Sequence, residues 1–545
     1  MRLTKAKLNE FLKSERFKII LLIVIALAVR LYKLSKEVFW IDEGVYISYT
    51  FLPSVKSVIQ TCNIWTNRPP LYFIIYNAWG KTFGISQKAL LLFPVITGVV
   101  SIILMYFIVK KLFKNKDIAF IAALLTCFSL YHFHYSRDNT EYMFFPMMIF
   151  LSILTFINLM QSTSQTRTKN TILHIISTTA LFYTHNYAFM IILIENVTFF
   201  AFLKRNRHLL KSWILAQLAI LLLIAPQLAL TYNQADYYAN AFGNGLGINM
   251  TIGRYSKSII EQLMIIYQFN LGDKTTNINH LIGNNSLAQS ASKIMTAAVF
   301  LLLISGIALS LIEFKKVRKK QSAFPLNLNE ENAHGLALLL LLLIVPILIT
   351  ALYSDIIFRE KCFVFTILVF NTFLAAGIIR LFQNRKIAKT IIVSGLIIIS
   401  ILSITHSIKN NYFFGEQEDW KAAAEFLKQP EQRAEAIFID VDYASLSFLY
   451  YYNNSLVYDF KLMSGSNQKI ILAQADLVNK DLSFKPNMTR INESISKLTD
   501  FWMVSSPHTY SFYGGRELFD MIEQGFRNSS SHSFGTVFIT RYLRR

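Results

Sequence analysis

The sequence carries little charge. Only 16% of its 545 residues are Asp, Glu, Lys or Arg, against about 25% in a soluble globular chain. That shortage excludes an ordinary water-facing surface over most of the length. Cysteine is also scarce: Cys62, Cys127 and Cys362 form no CxxC and no Cys/His cluster. Neither a disulfide framework nor a thiolate metal site is supported. Residues 412–545 contain no GxGxxG or P-loop pattern, so no nucleotide is expected there. Acidic residues are few, 33 against 54 Lys and Arg, which leaves a net charge of +21. Nucleic acid is not the reason. Residues 412–545 hold 14 basic and 16 acidic side chains, so all the excess lies in the apolar part, where short basic loops orient helices.

Apolar residues fill that part, and 53% of the chain is hydrophobic. Runs of 17 or more recur through the first three-quarters, each about long enough to cross a ~30 Å hydrocarbon core. The class is a polytopic helical membrane protein. Eleven spans fit: 17–33, 88–109, 117–134, 142–160, 171–184, 187–203, 212–231, 292–312, 335–353, 361–379 and 389–407. The basic start and the apolar run from Ile19 resemble a signal peptide, but no small-residue cleavage site follows and Arg30 and Lys33 end the run. A retained first span is expected.

The loops alternate in charge. The N-terminus with 110–116, 161–170, 204–211, 313–320 and 380–389 holds 25 Lys and Arg, and the longer opposite set holds 13. The first set is therefore expected in the cytoplasm, and an odd number of spans puts the C-terminus outside the cell (inner) membrane. The domain expectation is an all-α membrane domain over 1–411 and a small extracytoplasmic α/β domain over 412–545. Within the first loop, 34–87, the stretch 71-LYFIIYNAWGKTFG-84 reads as a helix lying in the interface. A second loop spans 232–291. In the last domain, 419–429 and 516–526 read as helices, and 436–440, 501–506 and 536–540 as strands.

Five short stretches at the expected external ends carry chemistry. In 38-VFWIDEGVYI-47, Asp42 and Glu43 stand together at a lipid boundary. They can be a plain solvated pair. Repulsion between neighbouring acids favours a raised pKa on one, which suits a general base. In 67-NRPPLYF-73, two prolines fix an extended entry to the interfacial helix, and Arg68 either snorkels or meets a phosphate. The stretch 135-YSRDNTEY-142 supplies Arg137, Asp138, Glu141 and Tyr142, or is an ordinary polar loop. The stretch 182-FYTHNYAF-189 supplies His185 and Tyr187, or a structural histidine. Arg359 and Lys361, in 358-FREKCF-363, can simply anchor a span. Acids, cations, a histidine and tyrosines on one membrane face suit a substrate with a lipid tail, a phosphate and a polar head, and these residues could converge on one surface.

These motifs, in this order, resemble the GT-C class of glycosyltransferases, in particular bacterial relatives of the protein O-mannosyltransferases (glycosyltransferase family 39) and of the lipid A aminoarabinose transferases. The resemblance rests on Asp42-Glu43, on Arg68-Pro69-Pro70-Leu71-Tyr72, on 136-SRDNTEY-142, on 183-YTHNYA-188, on Arg359 to Lys361, and on 418-EDWKAAA-424. It runs from about residue 17 onward. Arg68 stands where His or Lys is usual, Thr140 where Arg is common, and Asn186 where an aromatic is common.

The resemblance implies an inverting transfer of a sugar from a polyprenyl-phosphate donor to an acceptor hydroxyl on the extracytoplasmic face. Asp42 is the implied base, with Glu43 or Asp138 orienting the acceptor or stabilising positive charge. Arg359, Lys361, Arg68 and Arg137, in that order, are implied at the donor phosphate, and Tyr72, Tyr142, His185 and Tyr187 at the substrate. A divalent metal ion with Asp42, Asp138 or His185 as ligands is an open alternative. The expected partners are the donor lipid, a lipid, glycan or protein acceptor, and the bilayer, with no nucleic acid. A transporter or flippase of a lipid-linked saccharide is the rival. It predicts charge near span centres and internal repeats, whereas the sequence offers Glu195 and Arg30 alone and no duplicated half. A membrane sensor is a third reading, one that needs neither the acid pair nor the Thr-His motif. Neither the sugar nor the acceptor is legible.

Overall fold

A computed structural model describes residues 10–12, 14–63, 68–241, 298–312, 331–353, 360–410, 418–439, 442–453, 469–472, 488–505 and 515–545. Arg359 and most of the second loop lie outside these residues. The chain forms two compact units. The first comprises Met1–Tyr32, Ile59–Tyr72 and Leu92–Ile408, and the second Lys33–Val58, Phe73–Leu91 and Lys409–Arg545.

The first unit is helical. Helix α1 (Glu15–Leu31) starts at Ser14, whose hydroxyl accepts the Phe17 N–H at 3.1 Å. This satisfies one of the amides a helix N-terminus leaves without a partner. Further along the chain come α2 (Ile41–Ser48), which belongs to the second unit, and α3 (Val55–Thr61), α4 (Leu71–Phe83) and α5 (Gln87–Phe113), each divided between the two units. The first unit continues with α6 (Lys116–Cys127), α7 (Leu130–Tyr135), α8 (Glu141–Met160), α9 (Arg167–Phe182), α10 (Ala188–Ala201) and α11 (Leu210–Ala241). They are followed by α12 (Ala298–Ile312), α13 (Glu331–Tyr353), α14 (Ile367–Leu381) and α15 (Lys386–Asn410). Lys114, in the left-handed region at φ 50°, turns the short link from α5 to α6. Asn115 then caps α6 through the Asp117 and Ile118 amides.

Among the described residues, five helices are long and apolar enough to cross a membrane: Gln87–Phe113, Glu141–Met160, Leu203–Tyr232, Lys361–Leu381 and Lys386–Ile408. Eleven spans do not follow from helix length. The expected span 117–134 is broken at Phe128 and Ser129, where Ser129 caps a new helix, α7. The expected span 361–379 opens as a 3₁₀ turn over Glu360–Thr366. The chain is nonetheless a multi-pass membrane protein by its apolar helices.

The Lys361–Leu381 window is 94% buried, against 17% for Lys386–Ile408, so α14 is the inner helix of its unit. Two glycines bring α12 onto it. A methyl group on Gly377 would strike the Leu302 carbonyl, and one on Gly306 the Phe373 carbonyl. Such backbone approach is the way helices associate where lipid removes the hydrophobic drive. Asn371 on α14 donates to the Thr126 hydroxyl of α6 at 2.9 Å.

The second unit holds a five-stranded sheet in the order β2-β1-β3-β5-β4. Its strands are β1 (Ala436–Ile439), β2 (Lys469–Leu472), β3 (Asp500–Ser505), β4 (Phe526–Phe534) and β5 (Val537–Arg544). β1 runs parallel to β2 and β3, and β5 antiparallel to β3 and β4. Gly535, at φ 61°, makes the β4–β5 turn, a conformation glycine adopts at little cost. Helices α16 (Trp420–Leu427), α17 (Asp442–Asn453), α18 (Met488–Ile495) and α19 (Gly515–Gly525) complete the α/β arrangement. Asp419 caps α16 through the Ala422 amide at 2.8 Å.

Candidate active site

In the first unit, α8 begins at Glu141, whose side chain is 1% exposed. Arg68 Nη1 donates to Glu141 Oε1 at 2.5 Å, a charge-assisted contact. His185 Nε2 lies 3.9 Å from the same oxygen. The loop between α9 and α10 sets that ring. Its Nδ1 accepts the Tyr187 N–H at 3.1 Å, the ring stacks on Phe145 at 4.6 Å, and Nε2 is 3.7 Å from Cys362 Sγ. An Nδ1 that accepts leaves the proton on Nε2. Burial pushes the imidazole down to about 4, Glu141 opposing and Arg68 reinforcing the shift, so the ring is a neutral donor at pH 7.

Next along α8, the Tyr142 ring carries the Lys361 ammonium 4.6 Å from its centroid, a cation–π contact. Tyr187 packs against His185 at 5.0 Å and Phe363 at 6.1 Å. The loop before α4 is tied in by the Leu71 N–H, which donates to the Tyr183 carbonyl at 2.9 Å. Fully buried Tyr72 donates to the Asn139 carbonyl at 3.2 Å. Four stretches far apart in sequence thus bring a guanidinium, an ammonium and an imidazole N–H together around Glu141 and Tyr142. This is a donor set suited to a phosphate.

The remaining sequence candidates are placed differently. Arg137 is buried, its Nη1 donates to the Tyr32 carbonyl at 2.9 Å, and its guanidinium lies over Phe133 at 4.8 Å. It ties the turn to the end of α1. Asp138 is buried within the same turn, at 3% exposure. Among the described residues, no three His, Cys, Asp or Glu side chains are grouped to hold a metal ion. The sequence marks Glu141 only as one polar residue of the stretch 135–142 and assigns it no role. Its central place depends on contacts from residues 68 and 185, which local spacing does not reveal.

In the second unit, Asp42 and Glu43 open α2 and have unlike surroundings. Glu43 is 4% exposed and its Oε2 accepts the Trp40 N–H at 3.0 Å, which closes the helix start. Asp42 is half-buried. The stretch is fixed from α16 and α17. Glu418 Oε2 accepts the Ile41 N–H at 2.9 Å and the Trp420 indole N–H at 2.8 Å. Ser447 donates to the Trp40 carbonyl at 2.8 Å, and the Phe39 N–H donates to the Tyr451 hydroxyl at 2.9 Å. Carboxylates in the first turn also sit favourably at the positive end of the helix dipole.

Residues 67–229 match the family described as dolichyl-phosphate-mannose–protein mannosyltransferase. No curated protein matches the chain by sequence. Among solved structures, the chain is similar to the apo oligosaccharyltransferase of Archaeoglobus fulgidus, 13% identical, with a TM-score of 0.51 over 97% of this chain and 74% of that one. It is also similar to archaeal oligosaccharyltransferase AglB of the same organism in complex with an inhibitory peptide and a dolichol-phosphate, 12% identical, TM-score 0.50, with the same 97% and 74% coverage. ArnT from Cupriavidus metallidurans in its apo state is 10% identical, with a TM-score of 0.46 over 96% of this chain and 97% of that one. Residues 67–229 thus resemble a family of GT-C membrane glycosyltransferases, and the chain shares its fold with an archaeal oligosaccharyltransferase.

Proposed function

We propose that the chain moves a sugar, with inversion, from a polyprenyl-phosphate donor to an acceptor hydroxyl on the extracytoplasmic face of the cell membrane. The observation that carries this reading is the gathering of Arg68, Lys361 and His185 around Glu141 and Tyr142. The dolichol-phosphate in the complex of the archaeal structural neighbour supports a lipid-phosphate donor. The charge alternation of the loops supports the orientation.

In the proposed reaction the acceptor oxygen attacks the anomeric carbon as the bond from that carbon to the phosphate oxygen breaks. The acceptor proton passes to the Asp42 carboxylate. The leaving lipid phosphate goes from one negative charge towards two. Arg68, Lys361 and Arg359 are assigned to that charge, each well-placed donor contributing about 3 kcal/mol. Tyr142 and Tyr187 line the bound substrate, and Tyr72 acts behind them by holding the Asn139 carbonyl. Glu43 and Asp138 shape the acceptor side, Glu43 by holding the start of α2. Arg137 acts by fixing the turn that carries Asp138. The acceptor is a hydroxyl of an envelope glycan, lipid or protein.

The test is turnover by the purified full-length protein in detergent, supplied with a labelled polyprenyl-phosphate sugar and envelope acceptors. Release of free polyprenyl phosphate with transfer of the label is expected. Movement of intact donor between compartments of reconstituted vesicles, without bond cleavage, would instead make the protein a transporter.

A further inference from the structure

Arg30 stands one residue before the end of α1 and is fully buried. Its bonds run in four directions. Nε donates to Ser136 Oγ at 3.1 Å, Nη1 to the Ala26 carbonyl at 3.1 Å and the Cys127 carbonyl at 3.3 Å, and Nη2 to His132 Nδ1 at 2.7 Å. An accepting Nδ1 makes His132 a neutral ring with its proton on Nε2, and that nitrogen lies 2.8 Å from Ser101 Oγ on α5. The guanidinium therefore joins α1, the break between α6 and α7, α7 itself and, through His132, α5.

A leucine would pack this position at far lower desolvation cost, so a burial role alone does not account for an arginine. What the arginine reaches is Ser136, the first residue of the turn that leads to Asp138 and Glu141. We propose that Arg30, with His132, is a positioning residue that sets this turn and so the placement of Glu141 beneath Arg68 and His185. The proposal rests on the catalytic reading above. Lysine cannot replace it, because one ammonium cannot span four divergent acceptors.

Three variants test it in the full chain: Arg30→Lys, Ser136→Ala and Gly98→Ala. The last removes no bonding group. A methyl group on Gly98 would meet Ser136 Cβ at 2.9 Å and also its hydroxyl, which displaces the serine. Amide hydrogen exchange over 132–142 should quicken about tenfold, the scale of one lost bond to a charged group, with the α14 and β-sheet peptides unchanged. The kcat should fall while KM for the donor stays within about twofold, the signature of lost transition-state placement. Unchanged exchange over 132–142, an increase spread over the whole chain, or full activity in Arg30→Lys would overturn the proposal. If the wild-type chain does not turn over the donor, the catalytic reading fails, and the exchange data alone decide whether Arg30 positions the turn.

Discussion

Asp42 and Glu43 are neighbours in sequence with opposite engagements. Glu43 is withdrawn from solvent and holds the amide of Trp40, while Asp42 is half-buried. Adjacent carboxylates in one helical turn point about 100° apart, so one can serve the fold and the other the reaction. His185 shows the same economy at residue scale. Its ring is kept neutral by burial down to about 4, while an unfolded histidine titrates near 6.5. Between those values the unfolded chain binds the extra proton, so stability should be complete above about 6.5 and fall as pH drops through about 4. Thermal midpoints measured from pH 7 to pH 4 should show this decline, and His185→Gln should flatten it. An equal decline in the variant would assign it to other groups.

At the scale of elements, α2 depends on α17. Gly44 is the point of contact: a methyl group there would meet the Ser447 amide nitrogen at 2.6 Å and its hydroxyl. Gly44→Ala should therefore destabilise this packing by about 1–3 kcal/mol, even though alanine is the better helix former. Chemical denaturation followed by Trp40 and Trp420 fluorescence would measure it. A stabilised variant would show that the helix can shift without cost.

The elements differ in how far the sequence reveals them. Long apolar runs marked α5 and α8, and two prolines ahead of a shorter apolar stretch marked α4, because those signals are local. The helix over Ile41–Ser48 was not legible, since eight residues with a buried face give too short a pattern. β1, β3 and β5 were legible from short apolar runs. β4 was not: FRNSSSHSF is polar and mostly exposed, and its strand identity comes from pairing with β5. In the site, the motifs around Arg68, Tyr142, His185 and Lys361 were visible as residue types at expected ends of spans. Glu141 as their common neighbour was not, because that requires the loop before α4, the start of α8, the loop after α9 and the Lys361 turn to meet.

At the scale of the whole molecule, the second unit gathers residues 33–58, 73–91 and 409–545. Contacts such as Ile41 to Glu418 and Tyr450 to Ile85 hold it together. No composition shift announces such a discontinuous unit. The loop containing the acid pair is held by the C-terminal residues, so changes at Glu418 or Ser447 bear on Asp42 through the backbone they bond. The division of labour proposed for the molecule is a phosphate-binding cluster on the helical unit and a base on α2. Its most direct test is the initial rate of polyprenyl-phosphate release by Asp42→Asn, a change that keeps shape and removes the proton acceptor. The account predicts a fall of about 10²–10⁴-fold, the range for a lost general base, with protein level and thermal midpoint unchanged. A rate within a few-fold of the wild type would contradict it.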